Sequence, residues 1–214
     1  MTLTIHPFVL GPLENNCYLL ADSATSEAAL VDPSFGTARV LEFARKNQLD
    51  IRQVWLTHAH FDHISGVEDA VQALPGPLTI GLHPDDLPLW NAGGGGAYFG
   101  FPTRVTSRPN LSLYHGQTLS LGQSSVEVRH APGHTPGHVI FYDPRGGAAL
   151  CGDVIFQGSI GRTDCPGGNH QQLLDAIRQR LWPIGDDTIF IPGHGPESSI
   201  GRERLGNPYV ADGI

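Results

Sequence analysis

Cysteine, basic residues and long apolar runs are all scarce in this chain, and each shortage argues against a class of protein. Three cysteines occur, Cys17, Cys151 and Cys165. An odd number at wide spacing argues against a disulfide framework and fits reduced thiols in a cytoplasmic setting. Lysine and arginine together number 13 against 21 aspartate and glutamate, for a formal net charge of −8. Nucleic-acid binders normally present a basic face, so no nucleic-acid partner is expected, although bound divalent cations would offset part of that charge locally. No stretch reaches the ~18 apolar residues of a membrane span, so no membrane partner is expected either. The opening Met1-Thr2-Leu3-Thr4-Ile5-His6-Pro7 has neither the basic nor the apolar segment of a secretory signal. With 40% hydrophobic and 16% charged residues among 214, disorder and fibrous classes do not fit, and one globular domain over residues 1–214 does.

Histidine, by contrast, is abundant, with 11 in the chain. The stretch Thr57-His58-Ala59-His60-Phe61-Asp62-His63 packs four strong metal ligands into six positions. It follows Gln53-Val54-Trp55-Leu56, a short β-branched and aromatic run that reads as a buried strand. On a helix, His58 and His60 would point to different sides, so a tight loop after the strand is expected instead. Imidazole with carboxylate suits zinc, manganese or iron, and four ligands exceed what one open site needs.

The chain before this stretch predicts strands over Leu3–Leu10, Cys17–Ala21 and Ala28–Val31 and a helix within Ser34–Lys46. After it come a short helix over Gly66–Leu74, a strand over Leu78–Gly81 and a helical turn or two over Pro84–Trp90. Residues 91–112 differ in texture: a glycine run, Gly93 to Gly96, precedes Tyr98, Phe99 and Phe101. The run reads either as a loose surface loop or as a mobile flap over a cleft. Strand signals return at Thr118–Leu121, Ser125–His130, His138–Tyr142, Ala148–Leu150 and Thr188–Ile191, with helices over Gln171–Leu181 and Ser198–Leu205. Two packed sheets with helices outside follow from that order.

Three further turns carry ligands after apolar strands: Gly133-His134-Thr135-Pro136-Gly137-His138, Cys151-Gly152-Asp153 and Pro192-Gly193-His194-Gly195. Glycine allows close backbone approach to a compact site and proline fixes the turn. Taken in order with His58-x-His60-x-Asp62-His63, they resemble the metallo-β-lactamase superfamily, over nearly the whole chain. Within it the sequence looks most like the glyoxalase II-like hydrolases, in a compact subgroup carrying Gly158-Ser159-Ile160-Gly161-Arg162-Thr163-Asp164, Glu203 and Asn207-Pro208. The resemblance implies an α/β fold, the αββα four-layer sandwich, with its site at one edge of the sheets. It also implies that His58, His60 and His134 hold one ion, that Asp62, His63 and His194 hold another, and that Asp153 bridges them. His138 would orient the loop from behind the ligands. The chain's end, about twenty residues past its last histidine, is expected to leave no room for the helical domain with which full-length glyoxalase II enzymes grip glutathione.

Two divalent ions, zinc first with iron or manganese also suited, would share a water and lower its pKa towards ~7. Acyl hydrolysis is the natural reaction, with Asp62 and Asp153 as catalytic carboxylates. None of these motifs offers an evident general acid, and a thiolate (conjugate pKa about 8.5) leaves without one. A small-molecule thioester such as S-lactoylglutathione is the expected substrate. Arg162 either grips an anionic substrate tail or pairs with Asp164. Tyr98, Phe99 and Tyr209 line the cleft or simply pack. The alternatives are a persulfide dioxygenase-like oxidoreductase holding one iron on His58, His134 and Asp153, and another hydrolase of the same fold, such as a lactonase.

Overall fold

The computed structural model describes residues 3–213. Its first sheet takes strands in the order β1 (Leu3–Leu10), β2 (Asn15–Asp22), β3 (Glu27–Val31), β4 (Asp50–Trp55), β5 (Thr79–Leu82) and β6 (Leu111–Ser112). The pairs β1–β2 and β2–β3 are antiparallel, and β3 to β6 run parallel. The second sheet is a meander of β7 (Thr118–Leu121), β8 (Ser124–His130), β9 (Val139–Asp143) and β10 (Ala148–Gly152). Beyond a small hairpin of β11 (Ile155–Phe156) and β12 (Ser159–Ile160), β13 (Ile189–Pro192) joins β10 in parallel and β14 (Ser198–Ser199) closes the edge.

Strand periodicity of two explains the layering. Along β2, Leu19 and Ala21 join one apolar cluster while Tyr18 and Leu20 join another. Along β9, Val139 and Phe141 face the same inter-sheet cluster as Tyr18, and Ile140 faces a third. Both faces of each sheet are therefore covered, and the three clusters are the three interfaces of the expected αββα sandwich. Truncating a side chain such as Leu19 or Phe141, both without solvent exposure, would cost about 3–5 kcal/mol.

Helices α1 (Ala38–Lys46) and α3 (Val67–Ala73) cover the first sheet, and α5 (His170–Ala176) and α6 (Ile200–Gly206) the second. The one-turn α2 (Phe61–Ile64) and the short α4 (Leu87–Asn91) lie near the site described below. Helix α1 starts at Ala38 rather than Ser34 because the Thr37 hydroxyl and amide both donate to the Ser34 carbonyl, at 2.7 and 3.1 Å, closing a separate turn first. No helix among the described residues is long and apolar enough to cross a membrane. The three cysteines are free thiols, two of them buried.

Strands β4, β8, β10 and β13 all end at one edge of the sandwich, and the seam there is stitched by backbone. Val139 N donates to the Thr57 carbonyl at 2.8 Å and Asn16 N to the Gly193 carbonyl at 2.6 Å. The Tyr18 hydroxyl adds a bond to the Pro192 carbonyl at 2.6 Å.

Candidate metal centre

Each ligand turn begins where a strand ends, so rigid elements fix where the side chains project. His58 and His60 lie in the loop after β4, as expected, but Asp62 and His63 stand on α2, a single helical turn that the loop reading did not anticipate. His134 lies between β8 and β9, Asp153 just beyond β10, and His194 just beyond β13. Donor atoms of His58, His60 and His134 all fall within 4.8 Å of one another, and so do those of Asp62, His63 and His194. Asp153 lies between these sets: its Oδ2 is 3.6 Å from His134 Nε2 and 3.7 Å from His194 Nε2, and its Oδ1 is 3.6 Å from His63 Nε2. All seven residues singled out in the sequence meet. His138 joins neither set: its Nε2 accepts the Asp153 amide at 3.0 Å and its ring stacks on His58 at 4.7 Å.

Hydrogen bonds to the far side of each ring set the tautomers. His134 Nδ1–H donates to the Arg162 carbonyl at 2.7 Å, and His194 Nδ1–H to the Leu13 carbonyl at 3.0 Å. His63 Nδ1–H donates to Asp32 Oδ2 at 2.9 Å. The Thr57 hydroxyl gives its proton to Asp32 Oδ2 at 2.6 Å, so at 3.0 Å it accepts from His58 Nδ1–H. In all four rings Nδ1 is thereby turned outward to a protein acceptor and Nε2 inward, the orientation that metal-binding imidazoles require.

A cation fits the resulting cage. His58 Nε2 and Asp153 Oδ1 are buried without a hydrogen-bond partner, and such orphans are costly unless something answers them. His60 Nδ1 approaches His134 Nε2 to 2.8 Å, so a proton or a cation must stand between them. Burial keeps His58 and His138 neutral, and pushes His134 down to about 4 and His60 to about 3. At His63 burial works the other way from Asp62, Asp153 and Asp32, and the carboxylates win, holding the ring up at about 10. Burial would raise the Asp62 carboxyl, but His63 and His194 hold it below the usual range, so it is ionised at neutral pH. Two clusters of imidazole and carboxylate donors with Asp153 between them suit borderline divalent ions.

Two buried carboxylates that sequence reasoning did not single out support this cage. Asp32 accepts from Thr57 N at 2.8 Å as well as from His63 and the Thr57 hydroxyl. Asp86 accepts from Ala59 N at 2.9 Å, Gly137 N at 2.6 Å and the Thr135 hydroxyl at 2.9 Å, tying the loop of His58 to the loop of His134. Asp32 shared one part of the ligands' signal, an acidic residue at a strand end; Asp86 had none.

The glycine run is packed, not loose. Gly94 and Gly96 are buried, and Gly94, at φ +65°, lies so close to the Phe61 amide and the Ala59 carbonyl that a Cβ there would collide with both. The run is a buttress behind the ligand loop. Its aromatic end, Phe99 and Phe101, stacks on Phe61 at 5.8 and 5.5 Å and walls a cleft of about 630 Å³ that opens onto His60, Asp62, His134, Asp153 and His194. Phe99 lines this cleft, whereas Tyr98 is 94% exposed and Tyr209 borders a neighbouring recess. Arg162 also lines it while pairing with Asp164 through two bonds of 2.7 and 2.8 Å, the second of its two expected roles.

Comparison with known proteins agrees with this architecture. The profile of the Metallo-beta-lactamase superfamily matches residues 10–194. The chain is 33% identical to the hydroxyacylglutathione hydrolase GloC of Haemophilus influenzae over 198 residues, spanning 92% of this chain and 93% of that protein. Among solved structures, the BLEG-1 B3 metallo-beta-lactamase superposes with a TM-score of 0.90 at 32% identity, covering 97% of this chain and 99% of that one. The di-iron-bound form of TTHA1623 superposes with a TM-score of 0.86 at 37% identity, covering 96% and 100%.

Proposed function

The chain belongs to the metallo-beta-lactamase superfamily of metal-dependent hydrolases, and from that premise we propose that it is a binuclear thioesterase acting on S-lactoylglutathione-like molecules. The observation that carries the reading is Asp153, whose two oxygens face histidines of both donor sets at 3.6–3.7 Å. His58, His60 and His134 would hold one ion, Asp62, His63 and His194 the other, with Asp153 common to both. Divalent ions so held supply Lewis acidity and a water of near-neutral pKa.

The chain's own groups do the rest. Asp62, kept ionised by His63 and His194, accepts a hydrogen bond from the attacking water and orients its lone pair. The apolar walls exclude bulk solvent and strengthen the field of the charged groups on the developing oxyanion. Neither lysine nor tyrosine lines the cleft, so two common proton donors to a departing amine or alkoxide are missing from its wall. A thiolate needs no such help, and the name of the Haemophilus influenzae relative supports the same bond. Arg162 binds an anionic end of the carrier, since its solvent-screened pair with the exposed Asp164 exchanges readily for a ligand carboxylate.

The test is metal analysis of the purified protein together with a thioester panel. Two ions per chain with thioester turnover are expected, zinc first, with iron or manganese accommodated by the same donors. Asp153→Ala should abolish turnover and lower metal content together, and Arg162→Ala should mainly raise KM. One iron per chain, with oxygen consumed on a persulfide and no thioester cleaved, would overturn the reading in favour of an oxidoreductase.

A further inference from the structure

The cleft has two ends of opposite character. Around the donor sets its wall is apolar: Leu13, Phe61, Phe99, Phe101, Phe156 and Ile160. Apart from metal-ligating residues, Ser159, Arg162 and Cys165 are its only polar or ionisable lining groups. The aromatic rings flank both donor sets, with Phe61, Phe99 and Phe101 stacked on one side and Phe156 against the His194 ring at 6.4 Å on the other. Leu13 and Phe99 are 42% and 46% exposed, so part of this wall is apolar surface that an extended ligand would cover. On the far side of Arg162 lies a second recess of about 300 Å³, shared through Ser159, Ile160 and Arg162 and otherwise bordered by Thr163, Asp164, His170 and Tyr209. The guanidinium stands at the join, 5.7 Å from the Phe99 ring centroid.

We propose that the aromatic recess binds an apolar acyl chain, so that the preferred substrates are thioesters of aliphatic or aryl acids rather than of hydroxy acids, with the polar thiol carrier running past Arg162 into the second recess. The inference rests on the thioesterase reading and keeps its polar thiol carrier, but replaces the lactoyl group with an apolar acyl group. A methylene moved from water onto the phenylalanine rings gains hydrophobic free energy. A hydroxyl moved there loses its water partners, and Ser159 is the one hydroxyl-bearing residue of that wall able to replace them. At the other end the carrier's amides and carboxylate meet a guanidinium, an imidazole, a phenol and the Thr163 hydroxyl, with the Asp164 carboxylate already paired to Arg162. Reversing the substrate would place its apolar end in the polar recess and its anion against the rings.

The experiment uses the metal-loaded protein and two substrate series. In one, the acyl chain of a 3-mercaptopropionate thioester is lengthened from acetyl to hexanoyl, with lactoyl as the polar comparison. In the other, the thiol of an acetyl thioester is lengthened from ethanethiol to hexanethiol. Calorimetric binding of butanoate, hexanoate and octanoate reads the recess without turnover. kcat/KM should rise about fourfold per acyl methylene until the recess is filled, and alkanoate affinity should rise in step, while the thiol series stays flat. Phe99→Ala and Phe156→Ala should each flatten the acyl slope. A lactoyl thioester outrunning its butanoyl analogue, a slope on the thiol side instead, or alkanoate binding independent of chain length would overturn the proposal. Chain-length-dependent alkanoate binding with no thioester cleaved would sustain the recess and defeat the hydrolase reading, which separates the two.

Discussion

Asp32 takes the Nδ1 proton of His63 at 2.9 Å across 31 positions of sequence, from a backbone held at φ +50°. The same carboxylate is anchored by the Thr57 amide and hydroxyl, so the imidazole is oriented by a group that is itself immobilised. Asp32→Ala should therefore lower metal affinity at the Asp62, His63 and His194 set by about 10–100-fold. Chelator competition on the purified variant would read this as a drop towards one ion per chain. Unchanged stoichiometry and affinity would remove Asp32 from the site.

Asp86 serves two loops at once. Asp86→Ala would strand the Ala59 and Gly137 amides and the Thr135 hydroxyl in the interior, at a cost of about 3 kcal/mol. Denaturant titration should show that loss even in metal-free protein, since no ligand atom is touched. Asp86→Asn, which keeps one acceptor oxygen, should recover part of it.

Gly94→Ala should damage the centre without altering a ligand. The new Cβ would strike the Phe61 amide and Ala59 carbonyl, and φ +65° disfavours any side chain. Turnover and metal content should fall together, whereas Gly100→Ala, where nothing lies within 4 Å of a Cβ, should bear only the backbone strain of φ +80° and keep its metals.

Acid should weaken the metal-free protein at an unusually early point. Burial lowers His58 and His138, and lowers His134 and His83 to about 4 and His60 to about 3. In the unfolded chain these rings bind protons near pH ~6.5, so there the unfolded state holds more protons and stability falls as pH drops from about 6.5 towards 4. His63 and His194, raised instead, are charged in both states over that window and do not compensate; their stabilisation disappears on the alkaline side, as pH climbs towards about 10 for His63. Unfolding midpoints at pH 7, 6 and 5 check the sign, and His83→Gln, outside the metal cage, should make the acid slope shallower. A flat profile would contradict the neutral assignments.

The convergence of the seven residues was legible because histidine and aspartate have few other reasons to crowd the ends of successive strands, and the sandwich was legible because each strand's two faces carry apolar residues. Asp32 and Asp86 were not, since an aspartate after a strand or in a first helical turn is most often a local cap, and only the fold brings their acceptors to Thr57, His63 and Ala59. From sequence alone the glycine run reads as a loop or flap, because its reason for lacking side chains, the Phe61 backbone, lies more than thirty positions away. Strands β11 and β12 have two residues each, too few for any periodicity to register. The helix expected over Gln171–Leu181 begins at His170 and passes into a π turn at Ile177–Leu181, a change of winding that side-chain spacing does not reveal.

One half of the sandwich brings His58, His60, Asp62 and His63 to the seam, and the other brings His134, Asp153 and His194. Each donor set draws on both halves, so neither can fill without drawing the sheets together. Cations bound there would act as rivets through the molecule's midline. Stripping them should loosen the two halves against each other before either sheet frays, and hydrogen exchange would register this first at Val139 and Asn16, whose amides span the joint.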